Sequence, residues 1–369
     1  MKKKAMFILG TRPEAIKMAP VIRQFSQSDQ YDTIVVATGQ HRDMLDQVLE
    51  FFKITPDVDM GLMVPNQTLP DLTAKALAGS SALILEHQPD VVLVQGDTST
   101  AFAGGLAAFL NKVPVAHIEA GLRSGRMDSP FPEEANRVLL SKITNLHLAP
   151  TQGSADNLTS EAIRRGVHVV GNTVVDALLL GLDIIKQRGE ESYFEKYGMI
   201  DFDKDLILIT IHRRESFGEP IKNICEAIRT IAKRHSDKTL VYPVHPNPNV
   251  REVVNAELSG VENLRLLDPL EYSDFIWMMS KASLILTDSG GVQEEAPTLG
   301  IPVLVAREVT ERSEGVDAGA AVMVGADTDL IVQKADELLA LTVDQRAGII
   351  NPYGDGETSA RILELVKHL

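Results

Sequence analysis

The chain has 369 residues, more than one hydrophobic core usually supports, and its 44% apolar and 24% charged residues are ordinary for a globular protein. A formal net charge of −15 argues against nucleic acid or an anionic membrane as partner, so an anionic ligand would need locally gathered Arg, Lys and helix termini. The lone Cys225 excludes an internal disulfide framework and a cysteine-built zinc cluster, and with no apolar run of membrane-spanning length the expected location is the cytoplasm.

From the start, short apolar runs alternate with amphipathic stretches of helix length. Lys2-Lys3-Lys4 before AMFILG has the look of a signal-peptide start, but the apolar run is too short and Thr11-Arg12-Pro13-Glu14 ends it. Strands are expected at 5–9, 33–38, 91–95, 115–118, 147–149 and 168–170, and again at 206–211, 239–243, 264–266, 284–287, 303–305 and 321–324. Helices are expected at 69–87, 100–110, 221–235 and 329–340. This alternation implies parallel sheets with right-handed crossovers. Twelve strands are too many for one open sheet, so two six-stranded, Rossmann-like doubly wound α/β domains are expected, residues 1–171 and 172–356. Such sheets bind ligands beyond the carboxyl ends of their strands, and two domains facing each other would bring those loops to one central cleft. A final helix at about 357–369 follows a turn at 351–356, and periodicity does not say which domain receives it.

The residues after the strand tips carry the chemistry. Gly10-Thr11-Arg12-Pro13-Glu14 follows the first strand, with Lys17 one turn on. It is not a GxGxxG fingerprint, and its cations sit where a helix dipole disfavours them unless an anion binds. Asp97, in Gly96-Asp97-Thr98, reads equally as a helix cap or as an acid/base group. Glu119 ends an apolar strand before Ala120-Gly121, where burial would raise a carboxyl pKa; Arg123 follows. Glu133 and Glu134 open a helix with Asn136 and Arg137, which dipole stabilisation alone would also explain. In the second half, His212 lies between a strand end and Arg213-Arg214-Glu215, and His245 lies in a loop stiffened by Pro243, Pro246 and Pro248. Thr287-Asp288-Ser289-Gly290-Gly291 turns a strand into a helix bearing Glu294 and Glu295, which reads as a phosphate cradle followed by carboxylates suited to ribose hydroxyls, or as an ordinary strand–turn–helix with a solvated Glu pair. Arg307 and Arg312 come next. No HExxH, CxxC, EF-hand or GxSxG pattern occurs, leaving carboxylate and imidazole proton transfer beside a phosphate site.

In this order, the blocks GTRPEAIKMAP, TGQHRDMLDQVL, QGDTST, HIEAGLRSG, PFPEEANR, HRRESFGEP, YPVHPNP, TDSGGVQEEAPTLG, TERSEG and NPYGDG resemble the bacterial non-hydrolysing UDP-N-acetylglucosamine 2-epimerases over nearly the whole chain. The resemblance implies a glycosyltransferase-B architecture with the C-terminal helix returning to the first domain, and a homodimer. It implies interconversion of UDP-N-acetylglucosamine and UDP-N-acetylmannosamine with no cofactor, for cell-surface polysaccharide. The outline is elimination of UDP to a 2-acetamidoglucal and re-addition after protonation on the other face. By motif match Asp97, Glu119 and Glu133 become acid/base candidates and His212 meets the departing diphosphate. Arg12, Lys17, Ser289, Gly290, Gly291 and Arg312 would hold phosphates, Glu295 the ribose, and Phe275 would neighbour the uracil. A second, regulatory substrate position would involve Gln40, His41, Glu134, Arg213 and His245, although Asp43 and Asn66 stand where regulated members are expected to carry Gln and Arg. The alternatives are a hydrolysing 2-epimerase, whose extra kinase domain or different early motif is not seen here, and a UDP-sugar glycosyltransferase, which would need an acceptor groove.

Overall fold

Thirteen strands among the described residues pair only in parallel, in two separate sheets. The computed structural model describes residues 2–39, 42–62, 64 and 67–369. The first sheet holds β1 (Lys3–Leu9), β2 (Tyr31–Ala37), β3 (Val58–Asp59), β4 (Val91–Gln95), β5 (Val115–Ile118), β6 (Leu146–Ala149) and β7 (Val167–Val169). The second holds β8 (Leu206–Thr210), β9 (Thr239–Pro243), β10 (Leu264–Leu267), β11 (Ala282–Thr287), β12 (Val303–Val305) and β13 (Ala321–Met323). Every residue of β4, β5 and β8 is buried, as sheets covered by helices on both faces require, and this is why these strands read as unbroken apolar runs.

The strand orders are β3-β2-β1-β4-β5-β6-β7 and β10-β9-β8-β11-β12-β13. The expected fold class, two doubly wound parallel-sheet α/β units, is therefore what the chain adopts. The expectation of six strands per sheet holds only for the second. The first has seven, because the edge strand β3 is two residues long and paired solely to the end of β2, too short to leave a period in the sequence.

The chain divides into one unit of Met1–Leu180 with Tyr353–Leu369 and a second of Gly181–Pro352. Within the first, the C-terminal helix Thr358–Val366 packs against the helix Arg12–Ser26, and the Ser359 N–H donates to Asp176 Oδ1 at 2.7 Å. Among the described residues no helix is long and apolar enough to cross a membrane.

In both sheets the order reverses beside the first strand of the unit, between β1 and β4 and between β8 and β11. Loops leaving adjacent strands there diverge to opposite faces and open a crevice, the usual binding position in doubly wound sheets.

Candidate active site

In the first unit one buried carboxylate ties the two loops at the reversal together. Glu14, 1% exposed in the first turn of Arg12–Ser26, accepts from the N–H groups of Gly10 (3.0 Å) and Thr11 (2.7 Å) on the β1 side. Its other oxygen accepts from Thr98 Oγ1 (2.6 Å) on the β4 side, while that hydroxyl caps the helix Ser99–Leu110 by accepting from Ala101 N at 3.0 Å. Burial outweighs these hydrogen bonds and pushes the Glu14 carboxyl up to about 7. Lys17, one turn further along the same helix, pairs with Glu119 at the tip of β5. Gln95 Nε2, from the last residue of β4, donates to the same Glu119 oxygen at 2.8 Å.

Glu119 has φ = 63°, in the left-handed region, at a cost of about 1–2 kcal/mol for a residue with a β-carbon. Strained backbone at a strand tip, held by two specific partners, aims the carboxylate at Lys17. Asp97 lies next to Thr98, and Arg137 holds it at 2.7 Å while Asn136 Nδ2 donates to its carbonyl at 2.9 Å. Burial, then Glu119 and Glu133, raise the Asp97 carboxyl; Arg137 and Lys17 pull it back. Asp97, Glu119, Glu133, Lys17 and Arg137 thus form one electrostatic cluster. His117, buried on β5, gives its Nε2 to the Gly96 carbonyl at 2.7 Å, and burial lowers its pKa to about 3, so a neutral ring braces the turn before Asp97. Arg12 stands partly exposed at the start of its helix.

The second unit repeats the bridging device with the carboxylate on the other strand. Asp288, 0% exposed at the tip of β11, accepts from His212 N (2.9 Å), Arg213 N (2.8 Å) and Ser216 Oγ (3.0 Å), all beyond β8. His212 Nδ1 lies 3.3 Å from Asp288 Oδ1, and its ring stacks on His245 with centroids 5.6 Å apart and planes at 17°. A cavity of about 310 Å³ opens here, walled by His212, His245, Phe275, Ser289, Gly291 and Glu295. Its apolar side is completed by Pro269, Leu270 and Val292. The helix Gly290–Glu295 starts at its edge. A β-carbon on Gly290 would stand 2.9 Å from Arg312 Cζ, so glycine is what lets that guanidinium lie against the turn. Arg312 Nε donates to Glu294 at 3.1 Å. Arg307, 7% exposed, bridges Glu215 (2.6 Å) and Glu311 (3.1 Å). Burial raises Glu311, but its own backbone N–H, Arg307 and Arg312 outweigh this and bring it down to about 2.

The sequence and the fold that carry these features have close counterparts. The sequence model of the UDP-N-acetylglucosamine 2-epimerase family matches residues 23–367. UDP-N-acetylglucosamine 2-epimerase of Escherichia coli K12 is 49% identical over 99% of this chain and 98% of its own length. The chain belongs to this family. The UDP-GlcNAc 2-epimerase of Neisseria meningitidis, solved with UDP-GlcNAc bound, is 45% identical with TM-score 0.88, and each chain is covered in full. The S. aureus MnaA–UDP co-structure is 46% identical with TM-score 0.85, covering 99% of this chain and 96% of that one. The fold is thus the two-unit glycosyltransferase-B type of these epimerases, and the chain is an isomerase of the non-hydrolysing kind.

Within this epimerase family frame, the first unit brings Asp97, Glu119, Glu133 and Lys17 together, and the second brings His212, His245, Phe275, Ser289, Gly291 and Glu295 to one cavity. Of the five regulatory candidates, Gln40 and His41 lie outside the described residues, as does Asn66; nothing is described of the Asp43 side chain. Glu134, 2% exposed, accepts from Ser124 N (3.0 Å) and Gly125 N (3.1 Å), so it shapes its own loop. Arg123 is held by Glu161 (2.6 Å) and Ser141 (2.8 Å). Two buried carboxylates, Glu14 and Asp288, went unassigned from sequence although both stand inside quoted motifs. Gly10 and Thr11 are near neighbours of Glu14, but its Thr98 donor lies 84 positions away and the His212 donor of Asp288 lies 76 away, so these links between loops leave no local signal.

Proposed function

We propose that this chain interconverts UDP-N-acetylglucosamine and UDP-N-acetylmannosamine by eliminating UDP to a 2-acetamidoglucal and adding it back, supplying precursors of cell-surface polysaccharide. The observation that carries the reading is the Asp97–Glu119 pair at adjacent strand tips, each carboxylate held by its own cation. Departure of UDP and loss of the C2 proton must run together, because that hydrogen is not acidic until the anomeric carbon gains positive character. Removing it on one face and returning one on the other needs two proton-transfer groups. Asp97, Glu119 and Glu133 supply them on this reading; burial raises the Asp97 carboxyl above its ordinary value, so it holds a proton more readily than an exposed aspartate.

The departing diphosphate needs fixed cations and N–H groups. Ser289, Gly290, Gly291 and Arg312 are assigned to it, with His212 beside it, Glu295 to the ribose and Phe275 to the uracil. Arg12 and Lys17 are assigned to phosphate oxygens as well. Lys17 is then shared between Glu119 and phosphate, so that ligand binding alters the basicity of Glu119. The second substrate position and the homodimer belong to the same proposal; substrate saturation curves and light scattering test them.

Incubation with UDP-N-acetylglucosamine alone in deuterium oxide tests the chemistry. The mannosamine epimer should appear with deuterium at C2 and little free UDP. Retention of the original hydrogen would rule out the glucal route, and stoichiometric UDP release would indicate hydrolysis.

A further inference from the structure

The geometry points to Asp288 as the positioning residue of His212, fixing its ring as the Nδ1–H tautomer so that Nε2 is the nitrogen presented to the cavity. Three observations carry this. Each oxygen of Asp288 is an acceptor for N–H or O–H groups of the loop 212–216, and the residue is 0% exposed, so the carboxyl group is anchored with no room to turn. Nδ1 of His212 lies 3.3 Å from Asp288 Oδ1, an ion contact that favours the proton on the ring nitrogen nearer the carboxylate. Stacking on His245 limits ring rotation, leaving Nε2 on the far side from Asp288. His245 itself takes the opposite form: its Nδ1 accepts from Asn247 N at 3.2 Å, so its proton sits on Nε2. Two stacked imidazoles therefore carry opposite tautomers, and only one is tied to a buried carboxylate.

The consequence deepens the reading that His212 meets the departing diphosphate, and rests on it. A bare Nε2 takes a proton from solvent, becomes a donor to the leaving oxygen, and keeps Nδ1–H toward Asp288 throughout. Burial, His245 and Arg213 all lower the His212 pKa, and Asp288 is the group that raises it. Without its charge the ring loses its proton at lower pH.

Nitrogen-15 histidine labelling and long-range proton–nitrogen correlation read the tautomers directly, with His212→Asn assigning the signals. The folded wild-type chain should show protonated Nδ1 and bare Nε2 in His212, with the reverse in His245. In Asp288→Asn the side-chain amide would face Nδ1 as a donor, so His212 should switch to Nε2–H. Turnover should then fall about 10–100-fold with KM little changed, and the alkaline limb of the rate profile should move to lower pH. Ser216→Ala removes one donor from the carboxylate but keeps its charge, and should keep Nδ1–H. A wild-type His212 found as Nε2–H overturns the assignment without any variant, as does an unchanged tautomer in a folded Asp288→Asn. A wild-type chain that does not epimerise yet shows Nδ1–H would sink the reaction and leave the role of Asp288 standing.

Discussion

Replacing Glu14 with Gln should change how the stability of the first unit depends on pH. The protonated acid and the amide share one hydrogen-bonding pattern. One oxygen accepts from Gly10 N and Thr11 N, and the other position donates to Thr98 Oγ1, which keeps its bond from Ala101 N. Glutamine therefore mimics the neutral form. Native Glu14 holds its proton to about 7, whereas the unfolded carboxyl releases it near 4.5, so the native state binds more protons across that window. Wild-type stability must then fall as pH rises through it, and the variant's must not. The gap is worth about 3 kcal/mol, undiminished by solvent because the group is buried. Near pH 4.5 the two chains should have similar urea midpoints by circular dichroism; by pH 8 the variant should lead by most of that amount. Trp277, the one tryptophan, lies in the second unit, and its fluorescence serves as the control. A wild-type-to-variant difference that is flat with pH, or that grows in favour of Glu, would mean the carboxylate is ionised throughout and anchors the loops by charge. Glu14→Ala should instead lose about 2–5 kcal/mol at every pH, because two buried N–H groups are left unmatched.

Asp97→Asn and Glu119→Gln should each lower turnover by about 10²–10⁴-fold while calorimetry still detects UDP; near-normal rates in both would remove the proton-transfer assignment. Gly290→Ala should weaken UDP binding about tenfold, since its β-carbon displaces the Arg312 guanidinium from 2.9 Å, and an unchanged Kd would free Arg312 of any phosphate role. Arg137→Met removes the strongest influence lowering the Asp97 carboxyl, so the Asp97 pKa should rise and the acidic limb of the rate profile should move to higher pH. A stationary limb would mean that limb does not report Asp97.

The strands were legible because a parallel strand covered on both faces has no polar side to interrupt it, as LILIT and VVLVQ show. The helix Leu69–His87 was legible to the residue because Thr68 caps it, Pro70 fits its first turn, and Gln88 ends it in a left-handed conformation. β3 was not legible: two residues cannot display a period. Of the site candidates, Glu119 stands out as a carboxylate ending an apolar run, whereas Asp97, after Gln95-Gly96, reads equally as a helix cap. Phe275 carries no such mark and entered by resemblance alone. Glu14 closes a capping box with Thr11 in the structure; that its second oxygen crosses to Thr98 on another loop leaves no trace in the sequence.

Comparing the two units gives that crossing its meaning. Each sheet reverses its order beside its first strand, and in each a buried carboxylate stitches the two diverging loops, reaching forward from the β1 side in Glu14 and backward from β11 in Asp288. A crevice that must present side chains at fixed positions cannot leave its rims free, and a carboxylate accepting several N–H and O–H donors is a compact way to pin both. What the rims then carry differs. Beyond β4 and β5 every cation of the cluster is matched to a carboxylate, so charge is balanced and proton affinity is tuned. Beyond β8 and β12, Arg307 is matched to Glu215 and Glu311 and Arg312 to Glu294, while Arg213 is made less basic first by burial and then by Arg307, so cations there stand near one another as well as near carboxylates. On the proposed function, that mixture of cations and carboxylates is where a departing diphosphate would be received.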